Sequence, residues 1–159
     1  VALMTSLAAL QGDENVLEIG TGSGYQAAIL ACLVKTVHTI ERFASLANRA
    51  RQVLAQLGFN NVQVHEGDGT LGWAEAVPFQ AVLVTAAAPH PPQPLLEQLS
   101  EGGRLVLPVG DRSSQELQVW QRQEDHYSSE SIIPVSFVPL RGKHGWKEDH
   151  WPDPSFFSF

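Results

Sequence analysis

The chain has a single cysteine, Cys32, in 159 residues, which excludes an intrachain disulfide. That thiol lies in the apolar stretch after the first glycine cluster, where a buried, reduced side chain of a cytosolic protein is expected. Positive charge is scarce as well: 10 Lys and Arg against 17 Asp and Glu leave a formal net charge of -7, with no basic cluster. Neutralising phosphates takes a clustered excess of cations, so neither nucleic acid nor an anionic membrane is expected as a partner. Apolar runs such as 27–34 are much shorter than the ~20 residues that cross a bilayer, and no basic-then-apolar leader opens the chain. His38, His65, His126, His144 and His150 lack metal-ligand spacing, so no metal is expected. There is no internal repeat, and the length suits about one domain.

What the chain does have is a glycine-dense turn. Val16-Leu17-Glu18-Ile19 is a short apolar run, Gly20-Thr21-Gly22-Ser23-Gly24 follows, and Gln26 to Val34 is mostly Ala, Ile and Leu without Gly or Pro. That order predicts strand, turn and helix. Alternate glycines let the backbone turn sharply and approach a ligand, while the helix that opens there offers unpaired N–H groups.

The remaining elements follow from periodicity. Val1 to Leu10 has helical spacing and stops at Gly12; Phe43 to Leu57 is a helix stopped by Gly58; Leu95 to Leu99 is a short helix ended by Gly102-Gly103. Strands are expected at Asn15 to Ile19, Thr36 to Glu41, Val62 to His65, Phe79 to Val84 and Arg104 to Val109. Glu116 to Arg122 and Ile132 to Leu140 read as two more, joined by a polar turn around Glu124 to Ser129. The alternation predicts a doubly wound, Rossmann-like α/β fold: a mostly parallel seven-stranded sheet with a C-terminal antiparallel hairpin.

In such sheets ligands bind at the carboxyl ends of the strands. Three acids fall there: Glu18 before the glycine turn, Glu41 at the end of the second strand and Asp68 after the third. Glu41 follows Gly20 by about 20 residues, the distance at which an acid accepts ribose hydroxyls. The glycine spacing departs from G-x-G-x-x-G, because Tyr25 follows an early third glycine, and no G-K-[ST] is present. A nicotinamide dinucleotide is therefore disfavoured. Glu18 would repel a pyrophosphate yet suit a cation, and S-adenosyl-L-methionine carries both an ammonium and a sulfonium. In this pattern the glycine loop underlies its amino-acid part, Glu41 takes the ribose and Asp68 the adenine amino group.

The blocks VLEIGTGSGYQAAILA, HTIER, VHEGDGTLGW, FQAVLVTAAAP, LVLPVG and FVPLRGKHGW resemble, in order, the protein-L-isoaspartate O-methyltransferase family. The resemblance spans Val1 to Trp146, a methyltransferase core over 1–146. It implies an enzyme that methylates the α-carboxylate of L-isoaspartyl residues in damaged proteins, with S-adenosyl-L-methionine as cofactor. Carried over by motif, the cofactor residues are Glu18, Gly20, Thr21, Gly22, Ser23, Gly24, Glu41, Arg42, Asp68, Gly69 and Thr85. Ala86, Ala87 and Arg141 would face the acceptor. No side chain is assigned as a catalytic acid or base, since a carboxylate acceptor and a sulfonium donor need alignment more than proton transfer.

Two departures matter. Family members carry a T-I-S-x-P-like segment ahead of the position matching Val1, and this sequence shows none. The alternative expectation is thus a core that binds cofactor without efficient transfer, and an uncovered first helix open to self-association. Residues 147–159, with Trp151, Phe156, Phe157 and Phe159, have no counterpart and form an aromatic tail. His90 and Ser113 are expected as solvated loop residues, Trp73 and Trp146 as packing residues, and Arg141 with Lys143 as an attraction for an acidic acceptor.

Overall fold

Seven apolar or alternating runs become strands: β1 (Asn15–Ile19), β2 (Thr36–Glu41), β3 (Val62–Glu66), β4 (Phe79–Val84), β5 (Leu99–Gly110), β6 (Gln115–Gln123) and β7 (His126–Val135). In the computed structural model, which describes residues 1–147, they form one sheet in the order β3-β2-β1-β4-β5-β6-β7. The first five pair in parallel, whereas β5–β6 and β6–β7 are antiparallel. The helices are α1 (Ala2–Leu7), α2 (Tyr25–Ala31), α3 (Ala44–Gln56) and α4 (Gln93–Glu97). Among the described residues no helix is long and apolar enough to cross a membrane.

The central strands are apolar on both sides because both faces are covered. Val16, Val37, Ala81 and Leu83 pack with Met4, Ala27, Leu30 and Leu54 from α1, α2 and α3. Leu17, Ile19, Val82 and Val84 meet Leu95 and Leu96 of α4 on the opposite face. Each buried Leu or Val contributes about 1.5–3 kcal/mol relative to exposure, so this two-sided packing fixes the sheet. The strand order reverses between β1 and β4, which neighbour each other although β2 and β3 intervene in sequence. The crevice at their carboxyl ends is where such a fold places a ligand.

Several boundaries differ from expectation. α1 ends at Leu7 rather than running to Leu10, because Ala9 takes φ +53° and turns the chain before Gly12 is reached. α4 starts two residues early, with Pro94 in its first turn. β5 begins at Leu99, so Gly102 and Gly103 lie inside the strand instead of ending a helix. β7 spans His126–Val135, not 132–140, and only Glu124 and Asp125 form the turn, Glu124 at φ +53°. As the sheet's outer strand, exposed along most of its length, β7 tolerates His126, Ser128, Ser129 and Glu130, which mimic a loop in sequence. Cys32, expected to be buried, is exposed: it caps the end of α2, where the helix leaves the core. The aromatic tail, past Lys147, and His150 lie outside the described residues.

Candidate functional site

β1 ends at Ile19, and the Gly20 N–H reaches across to the Ile40 carbonyl at 2.9 Å. Gly20 has φ +96°, and a Cβ there would overlap Thr85 Oγ1, which stands 3.0 Å from each of the Ile19 and Gly20 carbonyls. Gly22 also has positive φ, +54°, and a Cβ there would meet nothing within 4 Å. The loop is therefore tight against β4 at its start and open at its middle. Two cavities flank it. One, of about 350 Å³, lies between Gly20, Glu41, Phe43, Gly69, Ala86 and Leu140. The other, of about 330 Å³, is bordered by Met4, Glu18, Ser23, Gln26 and Phe137. Both share Gly20, Gly22 and Thr85, so a ligand with two chemically different ends would straddle the loop.

The two ends differ in electrostatics. Glu18 is wholly buried on β1; Oε2 accepts a hydrogen bond from Thr39 Oγ1 at 2.6 Å, while Oε1 has no partner among the described residues. Burial pushes its pKa up to about 8, opposed by the Thr39 hydrogen bond and reinforced by the nearby charge of Glu41. At neutral pH this carboxyl group holds a proton unless a cation arrives. Glu41 is buried too, but both its oxygens are occupied: Oε2 accepts the Gly22 N–H at 3.0 Å and Oε1 the Phe43 N–H at 3.1 Å. A carboxylate oxygen has a second lone pair, so Glu41 can still accept from ligand hydroxyls while bracing the loop.

Most of the remaining residues singled out from sequence gather around these cavities. Ser23 and Thr21 border the smaller one, and Arg42, Gly69, Ala86 and Arg141 the larger. Arg42 is exposed, with its guanidinium 5.1 Å from the Phe43 ring centroid. Gly24 opens α2 as its N-cap and borders neither cavity. Asp68 departs from its expected place. Its Oδ1 accepts from Thr70 N at 2.9 Å and Thr70 Oγ1 at 2.7 Å, and its Oδ2 from Lys143 N at 2.7 Å, so the side chain grips the C-terminal segment instead of facing the cavity. Burial acts to raise its pKa, but the Lys143 N–H and Thr70 donors outweigh it and hold the carboxyl below its ordinary range. Ala87 is wholly buried, with its N–H on Val138 O and its carbonyl taking Leu140 N–H, both at 2.8 Å; it does not line the cleft. Arg141 donates to Lys147 O at 2.7 Å. His90 is exposed, and Ser113 is exposed with its hydroxyl on Asp111.

Sequence reasoning missed the apolar walls, namely Ile40, Phe43, Leu46, Val138 and Pro139. Residues 137–140 were legible only as the end of a strand. Instead Phe137 borders the smaller cavity, while Val138 to Leu140 pass beside Ala87 and close the larger one, a placement set by the Asp68 and Thr70 anchors far away in sequence.

Comparison with known proteins bears on this geometry. The family profile described as Protein-L-isoaspartate(D-aspartate) O-methyltransferase matches residues 1–145. The chain belongs to this family. It is 55% identical over 147 residues to Protein-L-isoaspartate O-methyltransferase 1 of Syntrophobacter fumaroxidans, covering 92% of this chain and 69% of that one. The relative from Methanoregula boonei is 54% identical, with 92% and 68% covered. A solved protein-L-isoaspartate O-methyltransferase superposes with a TM-score of 0.85 at 27% identity, over 91% of this chain and 47% of that chain. A Plasmodium falciparum chain assigned to the same methyltransferase family, solved with S-adenosyl-L-homocysteine, shares the fold at a TM-score of 0.72 and 22% identity, over 88% and 70%. The chain thus spans about two thirds of the length of the curated protein-L-isoaspartate O-methyltransferases it matches and about half of that first solved chain.

Proposed function

We propose that this chain is the S-adenosyl-L-methionine-binding core of an enzyme that methylates the α-carboxylate of L-isoaspartyl residues in damaged proteins. The observation that carries the reading is Glu18: a wholly buried carboxyl group with an unpartnered oxygen, bordering a cavity beside a glycine loop. A pyrophosphate would oppose its ionisation, whereas the α-ammonium of the cofactor's amino-acid part pairs with the carboxylate. Glu41, across the loop, suits the ribose hydroxyls, and the apolar walls with Gly69 suit a flat base. Arg42 and Thr85 complete the nucleoside side, and Gly20 to Gly24 with Thr21 and Ser23 underlie the amino-acid part. Asp68 contributes by holding the segment that carries Leu140 and Arg141.

When bound, the cofactor supplies an activated methyl group on a sulfonium. The acceptor carboxylate is already nucleophilic at neutral pH, so the chain needs no general base. Its residues bind, align and exclude water: Glu18 and Glu41 fix the two ends, and the 138–141 segment shields the middle. Ala86 and Arg141 border the opening where an isoaspartyl carboxylate would enter, and the guanidinium gives that carboxylate a cation. The single thiol suits a reducing, cytoplasmic setting.

A second reading is a core that holds the cofactor without efficient transfer; the chain spans about two thirds of the length of its curated relatives. Calorimetric titration with S-adenosyl-L-homocysteine and with NAD, followed by methyl transfer to an isoaspartyl peptide, separates the possibilities. Binding of the first ligand with transfer supports an enzyme; binding without transfer supports the second reading; binding of NAD alone refutes both.

A further inference from the structure

Thr39 is wholly buried on β2, in register with Glu18 on β1, and does not border the cavity that Glu18 does. Its hydroxyl donates to Glu18 Oε2 at 2.6 Å and stands 2.6 Å from Thr21 Oγ1. With its one proton on Glu18, Thr39 accepts from Thr21, so a hydroxyl chain runs Thr21 to Thr39 to Glu18. A β-branched apolar residue would satisfy the strand equally well, as Val37 and Ile40 do in the same strand. The hydroxyl therefore serves the carboxyl group, and it binds one oxygen only, leaving Oε1 without a partner among the described residues.

We propose that Thr39 is a positioning residue for cofactor binding: it anchors Glu18 by Oε2, keeps Oε1 for the cofactor's α-ammonium, and favours the carboxylate that this cation pairs with. The inference rests on the cofactor reading above. On binding, the neutral acid becomes a carboxylate, its proton leaves to solvent, and the ammonium takes its place at Oε1, so one positive charge replaces another beside Glu18. The groups facing Glu18 favour this. Glu41 on β2 repels the anion; α2 offers Tyr25 and the uncharged Gln26; β4 adds Leu83, with Thr85 just after it; and Val1 and Met4 border the same cavity without a charged side chain. Burial holds the empty site's carboxyl protonated up to about pH 8.

The test is calorimetric titration of S-adenosyl-L-homocysteine between pH 6 and 9 in buffers of different ionisation enthalpy. Wild-type protein, Thr39→Val and Thr39→Ser are compared, with ligand-free thermal unfolding as the fold control. The wild type releases about one proton on binding near neutral pH, and its affinity climbs with pH until about pH 8 and then levels. Thr39→Val binds about tenfold more weakly at neutral pH, the loss expected of one hydrogen bond to a charged group, and its climb moves upward by about one pH unit. Thr39→Ser restores both. Equal weakening of Thr39→Val at every pH would mark a merely structural role and overturn the inference, as would binding by the wild type without proton release. If Thr39→Val does not fold, Thr39→Ala, which also removes the hydroxyl, carries the same comparison. If the wild type binds no S-adenosyl-L-homocysteine at any pH, the cofactor reading fails, and this inference with it.

Discussion

Gly20 combines a left-handed backbone, φ +96°, with the Thr85 hydroxyl lying where its Cβ would be. Gly20→Ala meets two costs: about 1–2 kcal/mol for the dihedral, and the displacement of Thr85 from the Ile19 and Gly20 carbonyls, about 1 kcal/mol more. Urea denaturation should show a loss of about 2–3 kcal/mol, and Thr85→Ala in the same chain should add almost nothing to it, because the hydroxyl bonds it removes are already lost while the dihedral cost stays. Strict additivity of the two substitutions would mean that the side chains do not meet. Glu41→Gln tests the other end of the loop. An amide offers one acceptor where the carboxylate serves both the Gly22 and Phe43 N–H groups, so one donor is left facing an NH2. Stability should fall by about 1–3 kcal/mol and S-adenosyl-L-homocysteine affinity by more than tenfold; unchanged affinity would remove Glu41 from the site. Both residues were legible in sequence, since a glycine turn and an acid at a strand end are unusual in an apolar strand. Thr39 was not, because a Thr in the middle of a strand is ordinary, and its partner Glu18 lies a full crossover away.

Among the elements, the segment 136–146 departs most from expectation and matters most to the larger cavity. Its apolar run 137–140 has strand character, yet after β7 it leaves the hairpin and runs beside Ala87. Two tethers hold it there: Asp68 Oδ2 to Lys143 N at 2.7 Å and Thr70 Oγ1 to His144 N at 3.2 Å. At Gly142, φ +147°, a Cβ would overlap the Asp68 carboxylate. Gly142→Ala and Asp68→Ala should both free the segment without unfolding the sheet. Limited trypsinolysis at pH 8 should then cut after Arg141 and Lys143 at least tenfold faster, roughly the loss of one charged hydrogen bond, while the thermal midpoint shifts by only a few degrees. The tether is intact at that pH: a folded-state pKa held below the ordinary aspartate value gives stability that is present above that value and lost only as pH falls through the lowered one. Slow cutting of Asp68→Ala would show that the segment is held by its apolar contacts alone. The sheet order and the central strands were readable from periodicity, which reports burial on both faces. The course of 136–146 was not, because it depends on hydrogen bonds to residues some 75 positions earlier.

For the whole molecule, two buried polar groups on opposite sides of the sheet set the pH range of stability. On one side His38 Nδ1 and His65 Nε2 lie 2.9 Å apart, and the Trp73 ring stacks on His65 with centroids 3.8 Å apart. Burial lowers the pKa of both, and for His65 the neighbouring His38 and Arg51 charges lower it further, to about 4. Between about pH 4 and the ordinary histidine value the unfolded chain takes up protons that the folded one refuses, so stability falls as pH drops through this window. His65 is only half-buried, and solvent limits its part to about 1 kcal/mol. On the other side Glu18 works in the opposite sense. Its folded pKa of about 8 lies above that of an unfolded glutamate, so its contribution is complete below the unfolded value and is lost as pH rises toward 8. From pH 6.5 to 8, where the histidines no longer titrate, Glu18 alone should remove about 2 kcal/mol, or roughly 4–8 °C of thermal midpoint. Glu18→Gln, which keeps the shape and cannot ionise, should therefore flatten this alkaline limb of the ligand-free protein while leaving the histidine contribution in place. Saturating S-adenosyl-L-homocysteine should flatten the same limb in the wild type, since an ammonium at Oε1 stabilises the ionised form that rising pH demands. An alkaline limb that persists in Glu18→Gln would assign it to other groups and leave Glu18 ionised in the empty site.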